Sequence, residues 1–317
     1  MSIPVVDFSV ASLSVEDMSS ADLHQLSREL KVAFMEVGFV FLKNTGITQE
    51  EVDHVMDASR RFFLQPDQLK RLFVRKSFPI NPYHGWVAME TERLHPEKPG
   101  DLKEAFNLTS LHPDIKWPSS EAAPGFQETQ MTFFHRCKEL SLRILRVMAL
   151  SLDVDPDIFL NAHRLIGSTE NYTTLRSSYY PPVNSEQAKE GQLRCGEHSD
   201  WGSITLLFQN AEGLQVRRRS REFICVPSVP GTVLVNIADM MQRWTSDHFV
   251  SVPHRVLLPP AGDCSSTRQS LAFFLHPDNE AVVSCIDGSD KYPPLRPSAY
   301  VKEREYDSYG PKKHHLP

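Results

Sequence analysis

Apolar residues recur three to four positions apart in segment 21–37, at Leu23, Leu26, Leu30 and Phe34, a spacing that predicts a helix with one buried face. A short apolar strand at 3–8 precedes it, and the β-branched and aromatic run GFVFLKNTGI at 38–47 follows. Thr48 and Glu51 have the spacing of a capping box, so a second helix should begin there. Segment 78–125 is Pro-rich and irregular, with Tyr83, Trp86, Phe106 and Trp117 interspersed, the texture of long loops that cover a site. Segment 126–152 then predicts a long bracing helix, with Phe134, Cys137, Leu140, Ile144 and Val147 along one face. Beyond Leu165 come short β-rich runs, among them TTLRSSYY, SITLLFQ, LQVRRR, TVLVNI, HRVLL and SLAFFL, separated by turn residues. Such regular short strands suggest a sandwich or barrel. The expectation is one structural unit: residues 1–125 pack strands, helices and Pro-rich loops onto a core formed by the bracing helix and β-region of 126–317.

Composition narrows the function. The chain has 317 residues, 40% of them hydrophobic, with a formal net charge of −6 and no dense run of Lys and Arg. Neither nucleic acid nor an anionic membrane finds an electrostatic footprint, and no obligate protein partner is evident. The short RRRSR cluster at 217–221 reads as a solvated hairpin tip. Five cysteines, an odd number without C-x-x-C spacing, argue against a disulfide framework or structural zinc and for a reducing compartment. The N-terminus lacks the pattern of a secretory signal, and no stretch approaches the length of a membrane span, so a cytoplasmic location is expected.

With 13 His and 40 acids, about 1.6 His-x-acid triplets are expected by chance, so the four that occur need context. His95-Pro-Glu97, His112-Pro-Asp114 and His276-Pro-Asp278 carry a central proline and read as turn chemistry. His198-Ser-Asp200 differs: a strand follows at once, and alternate residues of an extended segment point to one face. His254, at the start of HRVLL, is the candidate third ligand. Two imidazoles and one carboxylate leave three adjacent positions on an octahedral iron(II) for a bidentate 2-oxo acid and dioxygen. Zinc is the competing reading, although the H-E-x-x-H pattern that would supply a general base is absent. Arg268-Gln-Ser270 opens the strand SLAFFL, so Arg268 and Ser270 share a face and could grip the distal carboxylate of a co-substrate.

These residues sit within blocks that resemble the isopenicillin N synthase-like family of iron(II)/2-oxoglutarate-dependent dioxygenases. The similar blocks are IPVVDFS, GFVFLKNTGI, DLKEAFNL, YYPP, HSDWGSITLLFQ, GLQV, PGTVLVNIADMMQRWT, SVPHRV and RQSLAFFLHP. The resemblance implies a mainly β fold with flanking helices, a double-stranded β-helix (jelly roll, cupin-like) core. It places the iron ligands on His198, Asp200 and His254, the 2-oxoglutarate contacts on Arg268 and Ser270, and a co-substrate tyrosine at Tyr180. Ser178 departs from the Asn that the family often has there, which leaves room for a water-mediated contact. The implied reaction consumes 2-oxoglutarate and O2, releases succinate and CO2, and hydroxylates, desaturates or cyclises a small organic molecule. The open alternatives are an iron oxidase that dispenses with 2-oxoglutarate, a binding or sensing protein on the same fold, and a zinc hydrolase. Candidate substrate-pocket residues are Tyr83, Trp86, Met89, Phe106 and Phe274, with Arg93 or Arg176 available to an acidic substrate. The C-terminal YVKEREYDSYGPKKHH could close over the pocket, and His314 and His315 read as a solvated tail.

Overall fold

The computed structural model describes residues 2–17, 20–77, 81–95 and 97–310; His314 and His315 lie outside them. In chain order the elements begin with Val5–Asp7 (β1), Ser20–Glu36 (α1), Phe39–Lys43 (β2), Gln49–Phe63 (α2), Asp67–Lys70 (α3), Gly85–Val87 (β3), Glu104–Leu108 (β4) and Phe126–Ser151 (α4). They continue with Asp157–Leu160 (α5), Thr174–Tyr180 (β5), Cys195–His198 (β6), Ile204–Gln209 (β7), Leu214–Arg217 (β8), Phe223–Cys225 (β9) and Thr232–Ile237 (β10). Asp239–Trp244 (α6), His254–Val256 (β11), Arg268–Leu275 (β12) and Pro297–Tyr309 (α7) complete the chain.

Eight strands form one sheet in the order β1-β2-β10-β7-β12-β5-β4-β3, and β6-β11-β8-β9 form a second. The two sheets are the halves of a double-stranded β-helix. Helices α1, α2 and α4 cover the outer face of the large sheet. Leu30 and Phe34 of α1, Val55 of α2 and Phe134, Leu140 and Ile144 of α4 bury against Leu206, Val235, Leu271 and Phe273. Strand periodicity then sends the alternate residues of the same strands inward, toward the small sheet. On β12 this separates Leu271 and Phe273, which meet the helices, from Arg268, Ser270, Ala272 and Phe274, which face the interior cavities. The capping box is present: Thr48 Oγ1 accepts from the Glu51 N–H and the Glu51 carboxylate accepts from the Thr48 N–H. Residues 217–221 form the tip of the β8–β9 hairpin, closed by the Arg218 N–H donating to the Glu222 carbonyl.

The segment expected to be irregular contains two strands. β4 pairs with β5, and β3 with β4, so the Pro-rich region extends the large sheet by two strands. Prolines flank these strands and hide their short alternation. Register decides the fate of the aromatic residues they carry: Trp86 lies opposite Phe106, so both rings leave the sheet on one side. That side faces the helices, where Phe106 packs edge-on to Phe62 and Phe126 at centroid distances of 5.2 and 5.0 Å. Trp86 and Phe106 therefore belong to an aromatic cluster on the outer face.

Candidate active site

His198 ends β6 and His254 begins β11; the antiparallel register sets the two directly opposite each other, with ring centroids 4.4 Å apart. Each ring is fixed through Nδ1. His198 Nδ1 lies 2.8 Å from the Gly196 carbonyl and His254 Nδ1 lies 3.1 Å from that of Val252. A carbonyl only accepts, so Nδ1 carries a proton in both rings and Nε2 is the atom each ring turns toward Asp200. Asp200 Oδ1 lies 3.7 Å from His198 Nε2 and 3.6 Å from His254 Nε2. Its other oxygen, Oδ2, accepts from Thr205 Oγ1 at 2.6 Å and Asn236 Nδ2 at 2.8 Å. The carboxylate is thus oriented with Oδ1 toward the imidazoles, and the three donor atoms lie within 4.8 Å of one another. Burial, and then the neighbouring His254, depress the His198 pKa and keep that ring neutral. Burial pushes the Asp200 carboxyl up, but His254 and His198 outweigh it and hold the pKa down. Two imidazole Nε2 atoms and one carboxylate oxygen facing one point fit a divalent first-row metal.

A cavity runs from this centre between the sheets to Arg268, Ser270, Tyr180 and Ser178, with apolar walls that include Leu207 and Val256. The cross-strand pairs Arg268–Tyr180 and Ser270–Ser178 bring these four together. Arg268 is 1% exposed, and its guanidinium sits 4.7 Å from the centre of the Tyr180 ring. Its only hydrogen bond among the described residues runs from Nη2 to Gln209 Oε1 at 2.7 Å; Nε and Nη1 are buried without a partner. The pKa of the nearby Arg194 is lowered by burial and then by the like charge of Arg268. A buried guanidinium at the cavity wall with unused N–H donors suits an anionic ligand.

A second cavity, of roughly 700 Å³ with its mouth, opens on the other side of His198 and Asp200. Its walls include Tyr83, Asn107, Tyr172, Arg176, Trp201 and Phe274. Helix α7 closes it with Val301, Glu305 and Tyr309. Arg176 Nη1 lies 3.0 Å from both oxygens of Glu92, which also accepts from the Tyr309 hydroxyl. Arg75 Nη2 pairs with Glu305 at 2.6 Å while its guanidinium stacks 3.9 Å from the Tyr309 ring. Burial works against ionisation of Glu92, but Arg176 and Lys103 together hold its pKa far below the usual carboxylate range.

The structure brings Tyr83, Phe274 and Arg176 into this cavity, whereas Trp86 and Phe106 face the helices and Met89 is 41% exposed away from it. Arg93 also lies elsewhere: its guanidinium donates to the Gly310 carbonyl and its N–H to that of Ser308, holding the end of α7. His276 departs from the turn reading. The turn itself is closed by the Asp278 carbonyl accepting the Ala281 N–H, the Asp278 carboxylate accepts from the distant Arg164 and Leu165 N–H groups, and the His276 ring lines the cavity. Sequence reasoning missed Thr205, Asn236, Trp201, Tyr172 and Tyr309. For Thr205 the signal was available, since it lies five residues beyond Asp200 on the strand that follows the H-x-D triplet.

Residues 171–277 match the 2OG-Fe(II) oxygenase superfamily, and residues 3–129 match the family described as non-haem dioxygenase in morphine synthesis N-terminal. The 2-oxoglutarate-Fe(II) type oxidoreductase ppzD of Metarhizium rileyi is 30% identical, over 90% of this chain and 82% of its own. Proline hydroxylase buaE of Petromyces alliaceus is 30% identical over 88% of each chain. A full-length Neurospora crassa protein, solved in complex with alpha-KG, superposes with a TM-score of 0.82 at 31% identity and 95% coverage of both chains. A further structure of it, with alpha-KG and thymine, has the same TM-score at 28% identity, covering 95% of this chain and 96% of that one. The chain belongs to the 2-oxoglutarate/iron(II) oxygenase superfamily and is a dioxygenase that uses Fe(II) and 2-oxoglutarate.

Proposed function

We propose that His198, Asp200 and His254 hold the iron, that Arg268 and Ser270 bind the distal carboxylate of 2-oxoglutarate with Tyr180 beside it, and that the Arg176 cavity receives the substrate. The observation that carries this assignment is the pair of unpartnered, buried donors on Arg268, at the far end of a cavity whose near end is the three-donor cluster. Iron(II), when bound, supplies dioxygen activation, coupling decarboxylation of 2-oxoglutarate to succinate with oxidation of a substrate carbon. The residues supply the rest. Arg268 gives a charged fork and Ser270 a hydroxyl that orient one carboxylate, and Tyr180 presents its ring to the guanidinium. Thr205 and Asn236 keep one Asp200 oxygen occupied, so that only the other is offered to the metal. Helix α7 and the aromatic walls exclude water from the substrate side.

The substrate is a small organic molecule, which is hydroxylated, desaturated or cyclised. Both cavity guanidiniums already have carboxylates, Arg176 with Glu92 and Arg75 with Glu305, an arrangement that favours a neutral substrate over an acidic one. A reading without 2-oxoglutarate is not favoured by the relatives. No helix among the described residues is long and apolar enough to cross a membrane, and all five cysteines are free, which supports a reducing, cytoplasmic setting. The test is anaerobic titration of Fe(II)-loaded protein with 2-oxoglutarate, followed by a metabolite screen read by succinate release. A saturable charge-transfer band in the wild type and none in His254→Ala is expected; bound iron without a band in the wild type would refute the assignment.

A further inference from the structure

The block DLKE at 101–104 has no part in the assignments above, yet two of its charged side chains are buried against the strand that carries His198. Asp101 and Lys103 are 3% and 4% exposed at the side chain, and their charged atoms are 2.6 Å apart. Asp101 Oδ1 accepts the Gly196 N–H at 3.0 Å, and Lys103 Nζ reaches Cys195 Sγ at 3.4 Å and Glu92 at 2.9 Å. Strand β6 is an edge strand, paired only with β11, so the outward Gly196 N–H has no ladder partner and the carboxylate replaces one. The fit is close: a Cβ on Gly196 would sit 3.1 Å from the His95 nitrogen and 3.2 Å from Asp101 Oδ1. The Gly196 carbonyl, in turn, is the group that accepts the hydrogen bond from His198 Nδ1–H.

We infer that Asp101 is a positioning residue for the metal centre: by anchoring the backbone at Gly196, whose N–H and carbonyl lie on adjacent peptide units, it fixes the tautomer and orientation of His198. This rests on the assignment of His198 as an iron ligand. A carboxylate suits the place because it has two acceptors, one for Gly196 and one for Lys103, whereas an amide has one. Lys103 keeps the second oxygen occupied and orients the first. Outer partners of metal-bound histidines commonly govern metal affinity in this way.

The experiment compares Asp101→Asn/Lys103→Met with Asp101→Ala/Lys103→Met. Both remove the same pair of charges; only the first leaves an oxygen able to accept the Gly196 N–H. Anaerobic Fe(II) titration should give the Asn variant nearly wild-type affinity and the Ala variant roughly 10- to 100-fold weaker binding. In the metal-free proteins, long-range 1H–15N correlation should find the Nδ1–H tautomer of His198 kept in the Asn variant and mixed in the Ala variant. Melting curves establish that each is folded, and Asp101→Leu/Lys103→Met replaces the Ala variant if its cavity unfolds it. Equal iron affinities and tautomers in the two variants would overturn the role of Asp101. Wild-type protein that bound no Fe(II) would instead overturn the ligand assignment beneath it.

Discussion

Replacing Arg268 with Met should move two quantities in opposite directions. The guanidinium is buried, has two nitrogens, Nε and Nη1, without partners, and lies near the cationic Arg194, so the free protein bears the cost of a poorly compensated charge. Binding of the 2-oxoglutarate carboxylate would provide the missing acceptors. Two charge-assisted hydrogen bonds at about 1.5–3 kcal/mol each amount to about 3–6 kcal/mol, a loss of roughly 10²- to 10⁴-fold in co-substrate affinity on removal. Met occupies the same channel without a charge. It forfeits the Gln209 bond and the stacking on Tyr180, but also the two unmet donors, and a net gain of about 1 kcal/mol in the co-substrate-free protein is expected. For a chain of this size that raises the melting temperature by about 2 °C. Anaerobic titration of the charge-transfer band measures the affinity, and calorimetry of the metal-free protein the stability. Arg268→Lys keeps the charge without the fork and should fall between. Undiminished 2-oxoglutarate affinity in Arg268→Met would refute the binding role; lost affinity together with a melting point several degrees lower would show Arg268 to be structural.

Three further outcomes follow from the same geometry. Fe(II) at a hundred times its Kd should stabilise the wild type by about 2.7 kcal/mol and His254→Ala by nothing, as read by anaerobic thermal shift; equal shifts would place the metal elsewhere. Glu92 has a folded pKa far below its ordinary value near 4.5, because Arg176, Lys103 and Tyr309 overcome its burial, so its stabilising effect is fully present above about pH 4.5 and is lost as pH falls toward the lowered value. Glu92→Gln should therefore be much less stable than the wild type in urea at pH 7, with the gap narrowing by about 1.4 kcal/mol at pH 3.5, one unit below the ordinary value, and a gap independent of pH would disprove the ion-pair account. Gly202 follows the metal-site segment and would place a Cβ 2.1 Å from the Leu275 carbonyl. Gly202→Ala should cost about 1–3 kcal/mol in chemical denaturation through the backbone shift it forces, and a wild-type melting curve would contradict so tight a contact.

The parts of the molecule legible in the sequence are those in which one local period carries the information. Segment 126–152 shows one apolar face, and helix α4 covers Phe126–Ser151 with Phe134, Leu140 and Ile144 in the core. The strands β7, β10 and β12 are marked by β-branched and aromatic runs between turn residues. Strands β3 and β4 were not legible, because three and five residues among prolines show too little alternation to tell from loop. Nor could the face of Trp86 or Phe106 be read: a slip of one residue in the β4–β5 register would send Phe106 to the cavity and Asn107 to the helices.

The two ends of the active site differ for the same reason. The proposed metal and co-substrate end uses residues two apart along one short stretch of chain, His198 with Asp200 just past the end of β6 and Arg268 with Ser270 on β12, so spacing and donor chemistry together select it. The substrate end is assembled from Arg75, Asn107, Tyr172, Phe274 and Tyr309, separated by up to 234 residues of chain (309 − 75), with no shared period. Its polar groups are defined by their partners: Arg176 and Glu92 satisfy each other, and Arg75 is held by Glu305 of a helix more than 200 residues away. In sequence each of these is one charged residue among many. Only once the chain is folded does their mutual pairing leave a cavity whose charges are balanced and whose walls are aromatic. The chemistry of the oxidation is therefore readable from short-range pattern, whereas the choice of substrate is written in contacts that exist only after the Pro-rich segment and α7 have docked on the barrel.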